Sequence, residues 1–134
     1  MIVADANVLA YFWLPGPFIA EAAACLKKDP EWVAPPLWRS EFRNILALYY
    51  RKGLLTIAEA KLAFQKAEKT MGSQDFPVTA EEVLDLVSQS KCTAYDCEYV
   101  ALANRLGVKL VTKDAKLVKE FPHIAIDLEI FVKP

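Results

Sequence analysis

The chain opens on an apolar run, Met1-Ile2-Val3-Ala4, which breaks at Asp5 and Asn7 and resumes as Val8-Leu9-Ala10-Tyr11-Phe12-Trp13-Leu14. Aspartate is poorly tolerated inside strands, so Asp5 marks the carboxyl end of a short buried strand over Ile2-Val3-Ala4. Leu14-Pro15-Gly16-Pro17 predicts a loop. A helix is expected from Phe18 to about Lys28, rich in alanine, with two lysines suited to its carboxyl end and Asp29-Pro30 to stop it. Trp32-Val33-Ala34 is a candidate second strand, ended by Pro35-Pro36.

Leu37 to Lys52 predicts a strong amphipathic helix, closed by Gly53. Trp38, Phe42, Ile45, Leu46 and Tyr49 share one face, while Arg39, Ser40, Arg43 and Arg51 take the other. Glu41 falls inside the apolar arc, where a carboxylate suffers desolvation unless a cation awaits it. Thr56 with Glu59 starts a helix to about Met71, and Thr79 with Glu82 starts another to Ser90. Thr93 with Asp96 starts a third, to Leu106, stopped by Gly107. Val108 to Thr112 reads as a buried strand leading to Asp114, followed by a short helix over Ala115–Glu120 and a last strand around Ile124-Ala125-Ile126.

Short strands alternating with helices predict an α/β fold, a three-layer α/β/α sandwich around a short, mainly parallel sheet. Residues 1–134 are expected to form a single domain, with no repeats or linkers. Right-handed crossovers gather the carboxyl ends of parallel strands on one edge, and that edge is where open α/β sheets bind ligands.

Four acids are directed there. Asp5 and Asp114 follow strands, Glu41 is on the buried face of its helix, and Asp96 shares a core-facing stripe with Tyr99, Val100 and Ala103. Two like charges about 4 Å apart repel by about 4 kcal/mol even at an effective dielectric near 20. Such a cluster needs a divalent cation or must hold protons. Hard ions such as Mg²⁺ and Mn²⁺ prefer carboxylate oxygens and assist phosphoryl displacement. Each acid also has a plainer role open to it, Asp96 as a partner for Thr93 and Asp114 as a helix cap.

Composition narrows the partners. Hydrophobic residues make up 54% and mean hydropathy is +0.19, yet no apolar run reaches the roughly 20 residues a membrane helix needs. The surplus is expected to cover a partner or oligomer surface. A net charge of −1 and a pI near 5.9 provide no global basic field, so nucleic acid would rely on local cations and metal. Cys25, Cys92 and Cys97 form no C-x-x-C pair, which fits reduced, buried thiols in a cytoplasmic protein.

Asp5-Ala6-Asn7-Val8-Leu9, Ser40-Glu41, Tyr95-Asp96-Cys97-Glu98-Tyr99-Val100-Ala101-Leu102-Ala103 and Leu110-Val111-Thr112-Lys113-Asp114 together resemble, in order and spacing, the motifs of PIN-domain ribonucleases. Size and architecture are similar to the small single-domain members, the VapC-type toxins of type II toxin–antitoxin systems. The resemblance implies a metal-dependent endoribonuclease, using Mg²⁺ or Mn²⁺, that leaves a 3′-hydroxyl and a 5′-phosphate. It casts Asp5, Asp96 and Asp114 as metal ligands and Glu41 as the group that orients or deprotonates the attacking water. Asn7 and Thr112 would support them. It also implies an RNA substrate, a cognate antitoxin protein and a homodimer. Cys97 departs from the small residue, often alanine, that follows the third acid in this family.

Other readings stay in play. An Asp after the first strand, with Thr112, Lys113 and Asp114, echoes haloacid-dehalogenase-like phosphohydrolases using Asp5 as nucleophile, although that site would want Asp at position 7. A non-catalytic PIN-like module that binds RNA or a partner is the second alternative. His123 is the single histidine, follows Pro122 and has no nucleophile signature beside it, so neither a triad nor a zinc site is supported. Tyr11-Phe12-Trp13-Leu14 is too aromatic for an ordinary loop and is expected to form a partner or dimer contact in preference to an RNA-stacking platform. Most such charges form solvated faces, and phosphate contact by Lys113 and Lys116, which lie close to the predicted site, is the alternative.

Overall fold

The computed structural model describes residues 1–134, and its four strands form one parallel sheet in the order β2-β1-β3-β4. They are β1 (Ile2–Ala4), β2 (Trp32–Val33), β3 (Leu110–Thr112) and β4 (Ala125–Asp127). Val3 is opposite Val33 on one side and Leu110 on the other, and Leu110, Val111 and Thr112 face Ala125, Ile126 and Asp127. β1 and β3 are adjacent although more than a hundred residues separate them. The chain first moves outward from β1 to β2, then crosses back over β1 to β3, so the topological switch point is the β1–β3 crevice. Ligands bind α/β sheets outside the carboxyl ends of strands at such a crevice.

Eight helices flank the sheet: α1 (Ala6–Trp13), α2 (Ile19–Lys28), α3 (Leu37–Arg51), α4 (Ile57–Met71), α5 (Ala80–Ser88), α6 (Ala94–Leu106), α7 (Ala115–Glu120) and α8 (Leu128–Val132). α2 packs on α8, whereas α6 runs against β1 and β3. Right-handed crossovers put these on opposite faces, which gives the expected α/β/α layers. The core is one contiguous cluster built on Val3, Leu9, Trp32, Phe42, Tyr99, Val100, Leu102 and Leu110. Phe64 of α4 stacks on both Trp38 and Phe42 of α3, at centroid distances of 5.7 and 6.0 Å, and so fastens the α3–α4 pair.

Local chemistry sets most boundaries. Thr56 and Thr79 each close a capping box with the glutamate three residues on, and Thr93 accepts from the Asp96 amide at 3.1 Å. Gly107, at φ +67°, ends α6 in a Schellman turn, with Gly107 N–H donating to Asn104 and Val108 N–H to Ala103. That turn takes Val108 out of the strand expected there, so β3 begins at Leu110.

Two helices depart from the sequence expectation. The stretch after Asp5 is α1, with the Asp5 carboxylate as its N-cap. It contacts α2, α3, α4 and β3, and a helix enclosed on several sides has no polar face to betray its period. Its aromatic end is therefore largely internal. Tyr11, Phe12 and Trp13 are partly buried against the core and Leu14 is buried, so the predicted contact surface is not displayed there. α8 is a five-residue helix capped by Asp127, and β4 starts one residue later than expected because Ile124 and Ala125 N–H close a turn onto Phe121.

Candidate active site

Asp5 is at the carboxyl end of β1 and only 8% exposed. Its backbone continues the ladder by donating to Val111 at 3.1 Å, which fixes the side chain over the β1–β3 crevice. One carboxylate oxygen accepts from the Ala6 amide at 2.7 Å, and the other from the Thr112 hydroxyl at 2.7 Å. Thr112 is fully buried and acts as a hub: its oxygen also accepts from the Asp114 amide at 2.9 Å and from Asn7 Nδ2 at 3.4 Å. Asn7 completes the link by accepting from the Lys113 amide at 3.3 Å. The supporting pair expected from the sequence thus holds the β1 and β3 ends together.

Asp114 caps α7 by accepting from the Lys116 amide at 2.9 Å. Asp96, half-buried in the first turn of α6, faces Asp114 closely enough for that carboxylate to disfavour its charge. Glu41 comes from the first turns of α3, and its Oε1 accepts from the Tyr99 hydroxyl at 2.6 Å. All four predicted acids therefore reach the same edge of the sheet.

Their electrostatics share a cause. Burial, then Glu41 and Asp96, push the Asp5 carboxyl up from 3.8 to about 7, against the opposing hydrogen bonds from Thr112 and Ala6. Burial is also the main reason the Glu41 carboxyl is raised, with Asp96 and Glu98 adding to it and Tyr99 resisting. Asp96 is raised by burial and by Asp114, while Thr93 and Lys116 pull it back. No salt bridge reaches any of the four. A hard divalent cation fits this donor set in kind, since every group offers carboxylate or hydroxyl oxygen and none of the four acids has a salt-bridge partner. No three His, Cys, Asp or Glu side chains meet closely enough to hold an ion as they stand.

Lys113 corrects an expectation. Its ammonium is paired to Asp127 at 3.0 Å and Glu129 at 2.7 Å and lies over the Phe18 ring, so it ties α8 to the strand end and is not offered to phosphate. Asp127, opposite Thr112 in register, is a fifth acid on this edge, outside the four expected from the sequence although it too ends a strand. Lys113 neutralises it. Tyr99 belongs to the core-facing stripe of α6, and its hydroxyl is nevertheless the partner of Glu41. The cysteines are buried and unpaired, and burial lifts the Cys25 thiol to about 12, which leaves it inert.

Known proteins share this fold and family. The PIN domain family model matches residues 2–124, and so spans all four acids. Ribonuclease VapC3 of Pyrobaculum aerophilum is 28% identical over 126 residues, covering 92% of this chain and 96% of its own. The crystal structure of PAE2754 from the same organism superposes with a TM-score of 0.77 at 25% identity, over 98% of this chain and 92% of that one. A toxin–antitoxin complex from Klebsiella pneumoniae shares the fold, with a TM-score of 0.67 at 18% identity over 96% of this chain and 98% of that one. The chain belongs to the PIN domain family.

Proposed function

We propose that this protein is a metal-dependent endoribonuclease, the toxin of a toxin–antitoxin pair, and that Asp5, Glu41, Asp96 and Asp114 carry the reaction. The observation that carries the reading is the coupled, cation-starved carboxylate set at the β1–β3 switch point, with Asp5 raised to about 7. Membership of the PIN family and similarity to a VapC ribonuclease support it.

Asp5, Asp96 and Asp114 would hold a Mg²⁺ or Mn²⁺ ion, which when bound neutralises phosphate charge and acidifies water. Thr112 and Asn7 keep the Asp5 carboxylate oriented. Glu41 accepts a proton from water as its oxygen attacks phosphorus. The bond from phosphorus to the 3′ oxygen then breaks, and that oxygen takes a proton from solvent. The products are a 3′-hydroxyl and a 5′-phosphate.

A protein partner is supported by the large apolar side chains left about half exposed along α3 and α4, Leu48, Tyr50, Leu54, Ile57 and Leu62. We assign this surplus to a cognate antitoxin and a homodimer; the three free, buried thiols support a cytoplasmic setting for the pair. No helix is long and apolar enough to cross a membrane.

The decisive experiment is cleavage of RNA by the purified protein. Activity should require Mg²⁺ or Mn²⁺, vanish with EDTA, and fall by at least about 10³-fold in Asp5→Asn. Metal-independent cutting, or an Asp5→Asn variant as active as the parent, would sink the reading.

A further inference from the structure

The Glu41 carboxylate lies in an uncomfortable place and is held there by one group. Burial and two acidic neighbours, Asp96 and Glu98, favour its neutral form, and the single hydrogen bond it accepts from a side chain is the one from Tyr99 at 2.6 Å. Tyr99 is 1% exposed, and its phenol is driven far above its ordinary range by burial and by Glu41, so it remains a proton donor throughout the working pH range. A phenol that can only donate favours the ionised carboxylate and fixes one of its two oxygens. The other oxygen is left as the acceptor for water.

The helix adds a second consequence. Tyr99 follows Asp96 by three residues in α6, and positions three apart share one helix face. A single rigid element therefore sets Asp96 and, through the phenol, Glu41 of α3. The separation between an acid that would hold the ion and the acid that would take the proton is then imposed by α6, not by the loop between helices.

Resting on the nuclease reading above, we propose that Tyr99 is a positioning residue for the reaction: its hydroxyl holds Glu41 ionised and aimed, and registers it against Asp96. Tyr99→Phe removes one oxygen and keeps the ring that fills the core. It should lower kcat by about 10- to 100-fold, the scale of a lost hydrogen bond to a charged group. KM for RNA and the Mg²⁺ concentration for half-activity should not move, and the thermal midpoint should change little. Without its donor Glu41 takes up a proton more readily, so the acid limb of the kcat profile should shift to higher pH.

The effect must vanish where Glu41 is already disabled. In a Glu41→Gln background, adding Tyr99→Phe should cost no further activity. An active parent with an equally active Tyr99→Phe variant overturns the positioning role alone. So does an equal fold-loss in both backgrounds, which would mark Tyr99 as merely structural. A parent that cuts no RNA with either metal overturns the nuclease reading and this role with it.

Discussion

Asp5 is both the first proposed metal ligand and a source of instability in the metal-free protein. Its carboxyl stands at about 7 in the fold against an ordinary 3.8. Between those values the unfolded chain is ionised while the folded protein keeps the proton, so stability falls as pH rises from about 4 to 7 and then levels. The difference sets an upper bound of about 4 kcal/mol for the site above pH 7. Asn caps helices as well as Asp and carries no charge. Asp5→Asn should therefore raise the thermal midpoint of the EDTA-treated protein at pH 8, with the gain disappearing below pH 4, while nuclease activity is lost. A midpoint that drops at pH 8 would mean that the carboxylate is not strained there. Several of these residues were legible in the chain itself. An acid that interrupts an apolar strand, and one set inside an apolar helical arc, contradict the pattern around them. The contacts that tune them were not legible. Thr112 and Asp5 are 107 residues apart, and Tyr99 and Glu41 are 58 apart. Neither a hydroxyl at a strand end nor a tyrosine in a helix stripe announces a partner at that distance.

At the level of elements, caps were the readable signal and enclosure was the blind spot. Helices α4, α5 and α6 began where a threonine with an acid three residues on said they should, because the cap satisfies amides that would otherwise be orphaned. α1 is not legible in the sequence for the converse reason: its neighbours on several sides remove the polar face on which periodicity depends. The caps also separate stability from function. Thr56→Ala and Thr93→Ala each delete an N-cap side chain and should each lower stability by about 1 kcal/mol. The Thr93 cap starts the helix that carries Asp96 and Tyr99, whereas Thr56 starts α4, which contributes no acid to the site. Fraying the first turn of α6 loosens Asp96 directly. Chemical denaturation should find the two variants alike, and RNA cleavage below their melting range should be impaired only in Thr93→Ala. Equal activity in both would mean that α6 is held by its packing on β1 and β3, without help from the cap.

For the whole molecule the governing number is a net charge of −1, which gives RNA little reason to approach. Lys113, the lysine closest in sequence to the site, is consumed by Asp127 and Glu129. Lys116 is the cation whose charge is felt by Asp96, and it is exposed. A protein that holds RNA through so few cations should release few counterions on binding. For a single strand the logarithm of the affinity falls with the logarithm of salt concentration by roughly 0.7 for each phosphate neutralised. Two contacts correspond to a loss of only about sevenfold between 50 and 200 mM salt, far short of the losses shown by proteins with six or more. The measurement is best made on Glu41→Gln with Mg²⁺ present, because that change slows hydrolysis to a residual rate that spares the RNA during a binding measurement and leaves the proposed metal ligands in place. In that background Lys116→Gln should flatten the slope by about 0.7. Lys113→Gln should leave the slope alone and instead destabilise the fold, since Asp127 and Glu129 then face each other without their shared cation. A steep slope, or one that responds to Lys113, would place the RNA on a basic surface elsewhere in the molecule and count against the proposed metal as the main attraction for phosphate.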